Sequence, residues 1–177
     1  MNNKYFSFDA ETNGLRGQAF AIAAVIRDQE GNLTEWLGRC PIEGTVNQWV
    51  AENVIPEMEG IPVNYNNYSE LLKGFIDFYK SNPADEYVVH MGDPVEAKLF
   101  ADAYNMGIMG EFDGPYRRRD ISALPEIGES VDTYNANNGI EVPALTGGTH
   151  NPLYDSYAAL FAYEHWMNVY RSRKTAI

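Results

Sequence analysis

The chain has 177 residues, of which 45% are hydrophobic and 21% are charged, so it should form one globular domain over residues 1–177 rather than a disordered or collagen-like chain. Thirteen Lys and Arg against 25 Asp and Glu leave a net charge of −12, which disfavours binding to long nucleic-acid duplexes. The single cysteine, Cys40, excludes an intrachain disulfide, and no apolar run reaches the roughly 20 residues of a membrane span, so we expect a cytoplasmic protein without membrane contact.

Three strands are predicted at the start of the chain. Apolar side chains at every second position predict a strand over residues 5–10, which places Asp9 and Glu11 on the same face. Apolar runs over residues 19–26 and 33–40, separated by a polar turn that contains glycine, predict a hairpin. The hairpin is expected to continue from the first strand as an antiparallel meander.

Helices and short strands are predicted to alternate after the meander. Apolar residues at helical spacing predict a helix between Thr45 and Pro56, with Trp49 on its apolar face, and a second helix between Ser69 and Asn82. The elements predicted after these helices are a strand over residues 86–90, a helix over 94–105, a strand around 120–123 and a largely buried helix over 152–171. This order predicts an α/β fold with a mixed central sheet.

The first candidate motif lies at the end of the first strand. Asp9 and Glu11 are separated by one residue and are followed by a polar turn formed by Thr12, Asn13, Gly14 and Leu15. A glycine in such a turn lets the backbone approach a ligand closely. In a chain with 25 acidic residues, the same pattern also arises from two solvated carboxylates at a strand edge.

The second candidate motif joins the short strand to the following helix. Asp93 is expected to cap this helix, with Pro94 as its first residue and Glu96 at its third position. An acidic cap and an acidic third residue stabilise a helix start without any catalytic role. The motif therefore has a structural interpretation as well as a functional one.

The third candidate motif leads into the last helix. Gly147 and Gly148 should make the loop that carries His150 mobile, and Asp155 should lie in the first turn of a buried helix. A buried carboxylate needs a hydrogen-bond donor or a positive charge beside it. No Gly-Lys-Ser/Thr follows the two glycines, so the segment is not a phosphate-binding loop of that type.

In this order, the three motifs resemble those of the DEDDh family of 3′ to 5′ exonucleases, which has a ribonuclease H-like fold. The family's first motif matches Asp9, Glu11, Thr12 and Gly14, and its third motif matches His150 and Asp155 at full spacing. The resemblance extends from residue 5 to about residue 165 and is closest in type to small stand-alone bacterial and phage exonucleases.

The middle motif departs from the family pattern. The hydrophobic frame over residues 95–100 matches, but Glu96 stands where the family has Asp, and Asp93 is the rival for that position. We prefer Glu96 because the frame fits and because Asp93 is already expected to cap the helix. The longer side chain of Glu puts the metal spacing in question, and not the reaction class.

The resemblance implies a site for two Mg²⁺ or Mn²⁺ ions about 4 Å apart, since carboxylates from several elements can hold such a pair for phosphodiester hydrolysis. The implied ligands are Asp9, Glu11 and Asp155, with Glu96 as the fourth acid and His150 as the general base. Without metal, the converging charges should raise the pKa of at least one carboxyl. Residues 12–15 would hold the terminal nucleotide, with Leu15 against its base.

We therefore expect a metal-dependent exonuclease that releases 5′-mononucleotides from the 3′ end of single-stranded RNA or DNA, with RNA slightly favoured. Many members of the family are dimers, so a homodimer is left open. Two alternatives also remain. The chain could be an acidic binding or decoy protein in which Glu96 marks a degenerate site, or a structure-directed endonuclease that uses the same carboxylates.

Overall fold

The computed structural model describes residues 3–145 and 148–175, which contain a five-stranded mixed sheet. Its strands are β1 (Tyr5–Thr12), β2 (Ala19–Arg27), β3 (Leu33–Arg39), β4 (Glu86–Val89) and β5 (Arg118–Asp120). The helices are α1 (Gln48–Asn53), α2 (Tyr68–Ser81), α3 (Val95–Asn105), α4 (Val131–Asn137) and α5 (Pro152–Thr175). The strand order is β3-β2-β1-β4-β5, in which β1 to β3 are antiparallel neighbours and β4 and β5 extend the sheet in parallel with β1. The predicted α/β class and antiparallel meander are confirmed.

The central strand β1 is buried on both faces because helices cover both sides of the sheet. Phe6 and Phe8 point into a core formed with α2 and α3, whereas Tyr5 points into a second core formed with α4 and α5. This alternation follows from the two-residue repeat of a strand. The predicted division of β1 into two faces is therefore confirmed.

The end of β1 extends beyond its parallel neighbour. The pairing of β1 with β4 stops at Ser7 and Val88, whereas β1 continues to Thr12. Helix α3 begins beside this free end, and α5 packs across β1. Acidic residues at the end of β1 are thereby brought close to the first turns of two helices.

Helix α1 is shorter than predicted. It begins at Gln48 with Asn47 as its cap, so Val46 lies outside it, and Val50 is buried while Trp49 is exposed. Trp49 was predicted on the apolar face of this helix, but it does not share the buried position of Val50. A helix of six residues presents only a single narrow apolar contact to the core, and Val50 makes that contact.

The predicted cap of α3 is also wrong. Asp93 is exposed, Pro94 occupies the cap position without a side-chain hydrogen bond, and the helix begins at Val95. The side chain of Asp120 accepts hydrogen bonds from the backbone N–H groups of Met91 (3.1 Å) and Gly92 (2.9 Å). The loop before α3 is therefore held by β5 and not by Asp93.

Two further differences concern the segment between α3 and α5. The strand predicted around residues 120–123 lies two residues earlier, as β5, and Ile121–Ala123 form a 3₁₀ turn, because Asp120 accepts a hydrogen bond from the N–H of Ser122 and turns the chain. Between this turn and α5, where the sequence patterns predict no element, the chain forms α4, whose cap is Ser130.

The last helix agrees with its predicted position and burial. Its first half packs against β1 and β2, with Ala158, Leu160 and Ala162 fully buried. Although α5 is 24 residues long, neither it nor any other helix in the described part of the chain has the apolar composition needed to cross a membrane.

Candidate active site

Three carboxylates converge at the end of β1. Asp9 and Glu11 lie on the same face of the strand, and Asp155 reaches them from the first turn of α5. One carboxylate oxygen from each residue lies within 4.8 Å of the other two. The side chain of Asn151 caps the start of α5 by accepting a hydrogen bond from the N–H of Leu153 (3.1 Å). This cap fixes the first turn of α5, which carries Asp155.

A fourth acid, Glu96, lies beside this group. Its side chain is almost fully buried, at 3% exposure, and its Oε1 atom accepts a hydrogen bond from the N–H of Ala10 (3.0 Å). This N–H lies beyond the point at which β4 stops pairing with β1, so Glu96 satisfies a strand donor that β4 leaves free. Asp93, the rival for this position, is exposed to solvent.

Burial dominates the electrostatics of these carboxyls. It raises the pKa of Asp9 well above its ordinary value, and the neighbouring charges of Asp155, Glu96 and Glu11 raise it further. The pKa of Asp155 rises to about 7, mainly through burial and then through Glu11. Burial raises the pKa of Glu96 to about 8, against the opposing effect of hydrogen bonds from the N–H groups of Glu96 itself and of Ala10. The expected pKa increase is present, with burial as its largest cause.

The donor set fits a divalent cation with oxygen ligands. Hard cations such as Mg²⁺ and Mn²⁺ prefer carboxylate oxygens, and these partly buried carboxylates need positive charge to remain ionised together. The positive charge of Arg118, on β5, lowers the pKa of Glu96 by less than burial raises it. Asp9, Glu11 and Asp155 would hold the cation, with Glu96 beside them.

His150 lies at the edge of the carboxylate group. Its Nδ1 atom is 3.7 Å from Oε1 of Glu11, and the pKa of the imidazole is raised chiefly by this carboxylate. Its backbone has a left-handed conformation, with φ of 72°, and its N–H donates to Asp155 (2.9 Å). The loop is also held by Thr149, whose hydroxyl donates to Asp132 (2.8 Å). Gly147 lies outside the described residues, and the mobility of this loop stays a prediction.

The carboxylates and His150 line an open cavity of about 330 Å³. We call it the acidic cavity, and its lining comprises Asp9, Ala10, Glu11, His90, Met91, Val95, Glu96, Glu129, Ser130, Val131, Asp132, Thr149, His150 and Asp155. This volume is within the usual range for small-ligand sites. A ligand in the acidic cavity can therefore contact the four acids and the imidazole of His150 at the same time.

The turn proposed to hold a terminal nucleotide is fixed by its own side chains. Asn13 donates from Nδ2 to the carbonyl of Thr45 (3.0 Å) and accepts at Oδ1 from the N–H of Asn47 (2.7 Å). Gly14 has a φ of 83°, a conformation that favours glycine. Leu15 is 66% exposed, so its side chain is free to contact a ligand, whereas the amide of Asn13 is occupied.

Two solved exonucleases have a similar architecture. E. coli exonuclease I in complex with a dT13 oligonucleotide is similar over 99% of this chain, with a TM-score of 0.66 and 15% sequence identity. Exonuclease X in complex with 5′ overhanging duplex DNA is similar over 93% of this chain and 92% of its own, with a TM-score of 0.61 and 17% identity. This chain has the ribonuclease H-like fold of these exonucleases.

The extent of the similarity differs between the two exonucleases. The chain spans 43% of the length of the exonuclease I chain, whereas it spans nearly all of exonuclease X. No protein-family model and no curated protein sequence matches the chain. The similarity to the exonucleases is therefore one of fold, at low sequence identity.

Sequence patterns missed two side chains at the edge of the acidic cavity. The helical spacing predicts Trp49 only as a member of an apolar face, yet its ring packs against that of His150. Asp132, on α4, accepts hydrogen bonds from Thr149 (2.8 Å) and Tyr154 (3.0 Å) and thereby supports the loop that carries His150. A signal for the helix that carries Asp132 is present in the sequence. Ser130 is a typical N-cap residue, and apolar residues follow it at helical spacing.

Replacement of Asn13 by Ala should lower the Tm by roughly 2–12 °C. It removes two hydrogen bonds, each worth roughly 0.5–1.5 kcal/mol, and a domain of this length loses about 2–4 °C per kcal/mol. Calorimetry on the variant measures the change, with Asn168→Ala on the exposed part of α5 as the control. An unchanged Tm in Asn13→Ala would show that the turn does not depend on these bonds.

Proposed function

We propose that the chain is a metal-dependent exonuclease that removes 5′-mononucleotides from the 3′ end of single-stranded nucleic acid. The observation that carries this proposal is the convergence of Asp9, Glu11 and Asp155 within 4.8 Å, beside a buried Glu96 and an imidazole. The ribonuclease H-like fold shared with exonucleases I and X adds support. The acids come from β1, α3 and α5, so it is the fold that assembles them.

The carboxylates would bind two Mg²⁺ or Mn²⁺ ions, with Asp9, Glu11 and Asp155 as ligands and Glu96 as the fourth acid. Such an ion pair stabilises the charge that develops on the attacking and leaving oxygens at phosphorus. The carboxylates can hold cations only when ionised, so cation binding must release the protons that their raised pKa values retain.

His150 would act as the general base. The contact between Nδ1 and Glu11 favours a proton on Nδ1, which leaves Nε2 with a free electron pair. Nε2 can then accept the proton of the attacking water. The nearby carboxylate raises the pKa of the imidazole and so makes it a stronger base.

Single-stranded RNA and DNA are the proposed substrates. With a net charge of −12, the chain must bind a polyanion through the local site and its cations, and not through a long-range field. Residues 12–15 are proposed to contact the terminal nucleotide, with Leu15 against its base. The exonuclease I and X complexes above contain DNA, so a preference for RNA stays a prediction.

Residues 1–177 are proposed to act as one exonuclease domain. The match to nearly the full length of exonuclease X, which has a similar extent, supports this proposal. Whether the domain acts alone or as a homodimer can be measured by light scattering on the purified protein.

Digestion of 5′-labelled oligonucleotides tests the proposal. With Mg²⁺ or Mn²⁺, matched RNA and DNA strands should shorten one nucleotide at a time from the 3′ end, and chromatography should detect 5′-mononucleotides. Failure to shorten either strand would contradict the proposal. Long fragments at early times would instead identify an endonuclease.

Thermal unfolding distinguishes the enzyme from an acidic binding or decoy protein. At a Mn²⁺ concentration 100 times the Kd, binding to the folded state should raise the Tm by about 5–10 °C, since this ratio is worth about 2.7 kcal/mol. Glu96→Gln should reduce the increase, whereas Glu30→Gln, in an exposed turn, should not. The decoy alternative predicts the same Tm with and without the cation.

A further inference from the structure

Trp49 makes an unusual contact for an exposed tryptophan. Its side chain is 55% exposed at the start of α1, yet its ring lies edge-to-face with the imidazole of His150. The ring centroids are 5.5 Å apart and the planes meet at 88°, a preferred geometry for aromatic pairs. The contact therefore joins α1 to the residue proposed as the general base.

The position of Trp49 is fixed by residues outside the His150 loop. The side chain of Asn47 accepts a hydrogen bond from the N–H of Trp49 (3.0 Å), and the N–H of Asn47 donates to Asn13 (2.7 Å). Asn13 follows the end of β1, which carries Glu11. The backbone that carries the indole is thus tied to the same strand end as the carboxylates, which keeps the indole beside His150.

Within residues 3–145 and 148–175, Glu11 is the only ion-pair partner of the His150 ring, so a second contact is needed to orient it. Its backbone is held through the N–H bond to Asp155, but that bond leaves the side-chain torsions free. The imidazole contacts Glu11 at 3.7 Å, and Glu11 is also a proposed cation ligand. The Trp49 contact involves no cation ligand, so it does not compete with a bound metal.

We propose that Trp49 is a positioning residue that holds the imidazole of His150 over the acidic cavity for proton transfer. This inference rests on the proposed nuclease function. It assigns Trp49 an effect on the catalytic step and not on the binding of nucleic acid. Loss of the ring should therefore lower kcat and leave KM nearly unchanged.

Kinetics of three variants test the kcat effect. Trp49→Leu keeps an apolar side chain without a ring and should lower kcat about tenfold, since a misplaced general base loses part of its usual 10²- to 10⁴-fold contribution. Trp49→Phe keeps a ring and should retain kcat within about threefold. The control Phe112→Leu, which removes an exposed ring elsewhere, should match the wild-type protein. Equal kcat values for Trp49→Leu and the wild type would overturn the inference.

A double-mutant cycle separates positioning from direct contact with the substrate. If Trp49 acts through His150, adding Trp49→Leu to His150→Ala should change kcat by less than about twofold. If Trp49 instead stacks on a nucleobase, Trp49→Leu should raise KM by a similar factor in both backgrounds. The second result would overturn the inference and leave the proposed nuclease function intact.

A spectroscopic measurement does not depend on activity. The carbon-bound protons of His150 should show ring-current shifts in the NMR spectrum of the metal-free protein, and Trp49→Leu should remove them. Unchanged His150 resonances would contradict the positioning role. If the wild-type protein shows these shifts but is inactive, the nuclease proposal is contradicted. The catalytic role of Trp49 is then contradicted as well, whereas the contact between the two rings is not.

Discussion

Replacement of Asp9 by Asn should reduce the rate of 3′-end shortening by at least about 10³-fold and should raise the Tm of the metal-free protein. The loss of activity follows because a cation site supplies several kcal/mol of transition-state stabilisation, and each 1.36 kcal/mol is a factor of ten. The gain in stability follows because burial, and then the charges of Asp155, Glu96 and Glu11, raise the pKa of Asp9 and make its charged form costly. A neutral amide of the same shape removes that cost.

Oligonucleotide digestion and calorimetry measure the two effects on the same preparation. Asp93→Asn is the matched control, because Asp93 is an exposed acid close to Glu96 in sequence and should behave like the wild type. More than a tenth of the wild-type activity in Asp9→Asn would place the chemistry elsewhere. A large loss in Asp93→Asn would instead assign the fourth acid to Asp93.

The metal-free protein should lose stability as the pH rises from about 4 to 8. Burial raises the folded-state pKa of Asp155 to about 7 and that of Glu96 to about 8, above the ordinary values of 3.8 and 4.5. Below the ordinary values both states are protonated, and the full stability is present. Between the ordinary and the raised values, the unfolded state gives up its protons while the folded state still holds them, so stability falls across this interval until the folded state is deprotonated as well. The raised pKa of His150 acts in the same direction.

Thermal unfolding across this pH range measures the effect. Saturating Mg²⁺ should flatten the slope, because a bound cation favours the ionised carboxylates. Glu96→Gln should also flatten it by removing one titrating group. Asp120 does not hide this loss of stability with increasing pH. Its pKa is lowered, so its contribution to the free energy of unfolding changes only at more acidic pH. A Tm that increases steadily from pH 5 to pH 8 without metal would contradict the electrostatics of the site.

Local sequence signals predicted the parts of the site that depend on strand and helix repeats. The two-residue repeat of β1 placed Asp9 and Glu11 on one face, and the start of α5 placed Asp155 in its first turn. These signals are local because backbone geometry alone sets them. The contact between the two elements came from the family resemblance and not from the repeats.

The contacts of Glu96 and Trp49 could not be predicted in the same way. Glu96 was preferred partly because Asp93 was expected to cap α3, and that reason is wrong, since Pro94 takes the cap position. Glu96 is instead held by the N–H of Ala10, 86 residues away, where β1 extends past β4. Trp49 meets His150 across a separation of about 100 residues. Such contacts depend on how elements pack, which periodicity does not encode.

Anomalous diffraction from crystals soaked in Mn²⁺ tests the central claim most directly. We predict two anomalous peaks about 4 Å apart, in contact with the carboxylates of Asp9, Glu11 and Asp155, and with Glu96 nearby. Crystals of Asp9→Asn soaked in the same way should lose at least one of them. Wild-type crystals with Mn²⁺ bound elsewhere and no peak among these carboxylates would contradict the account.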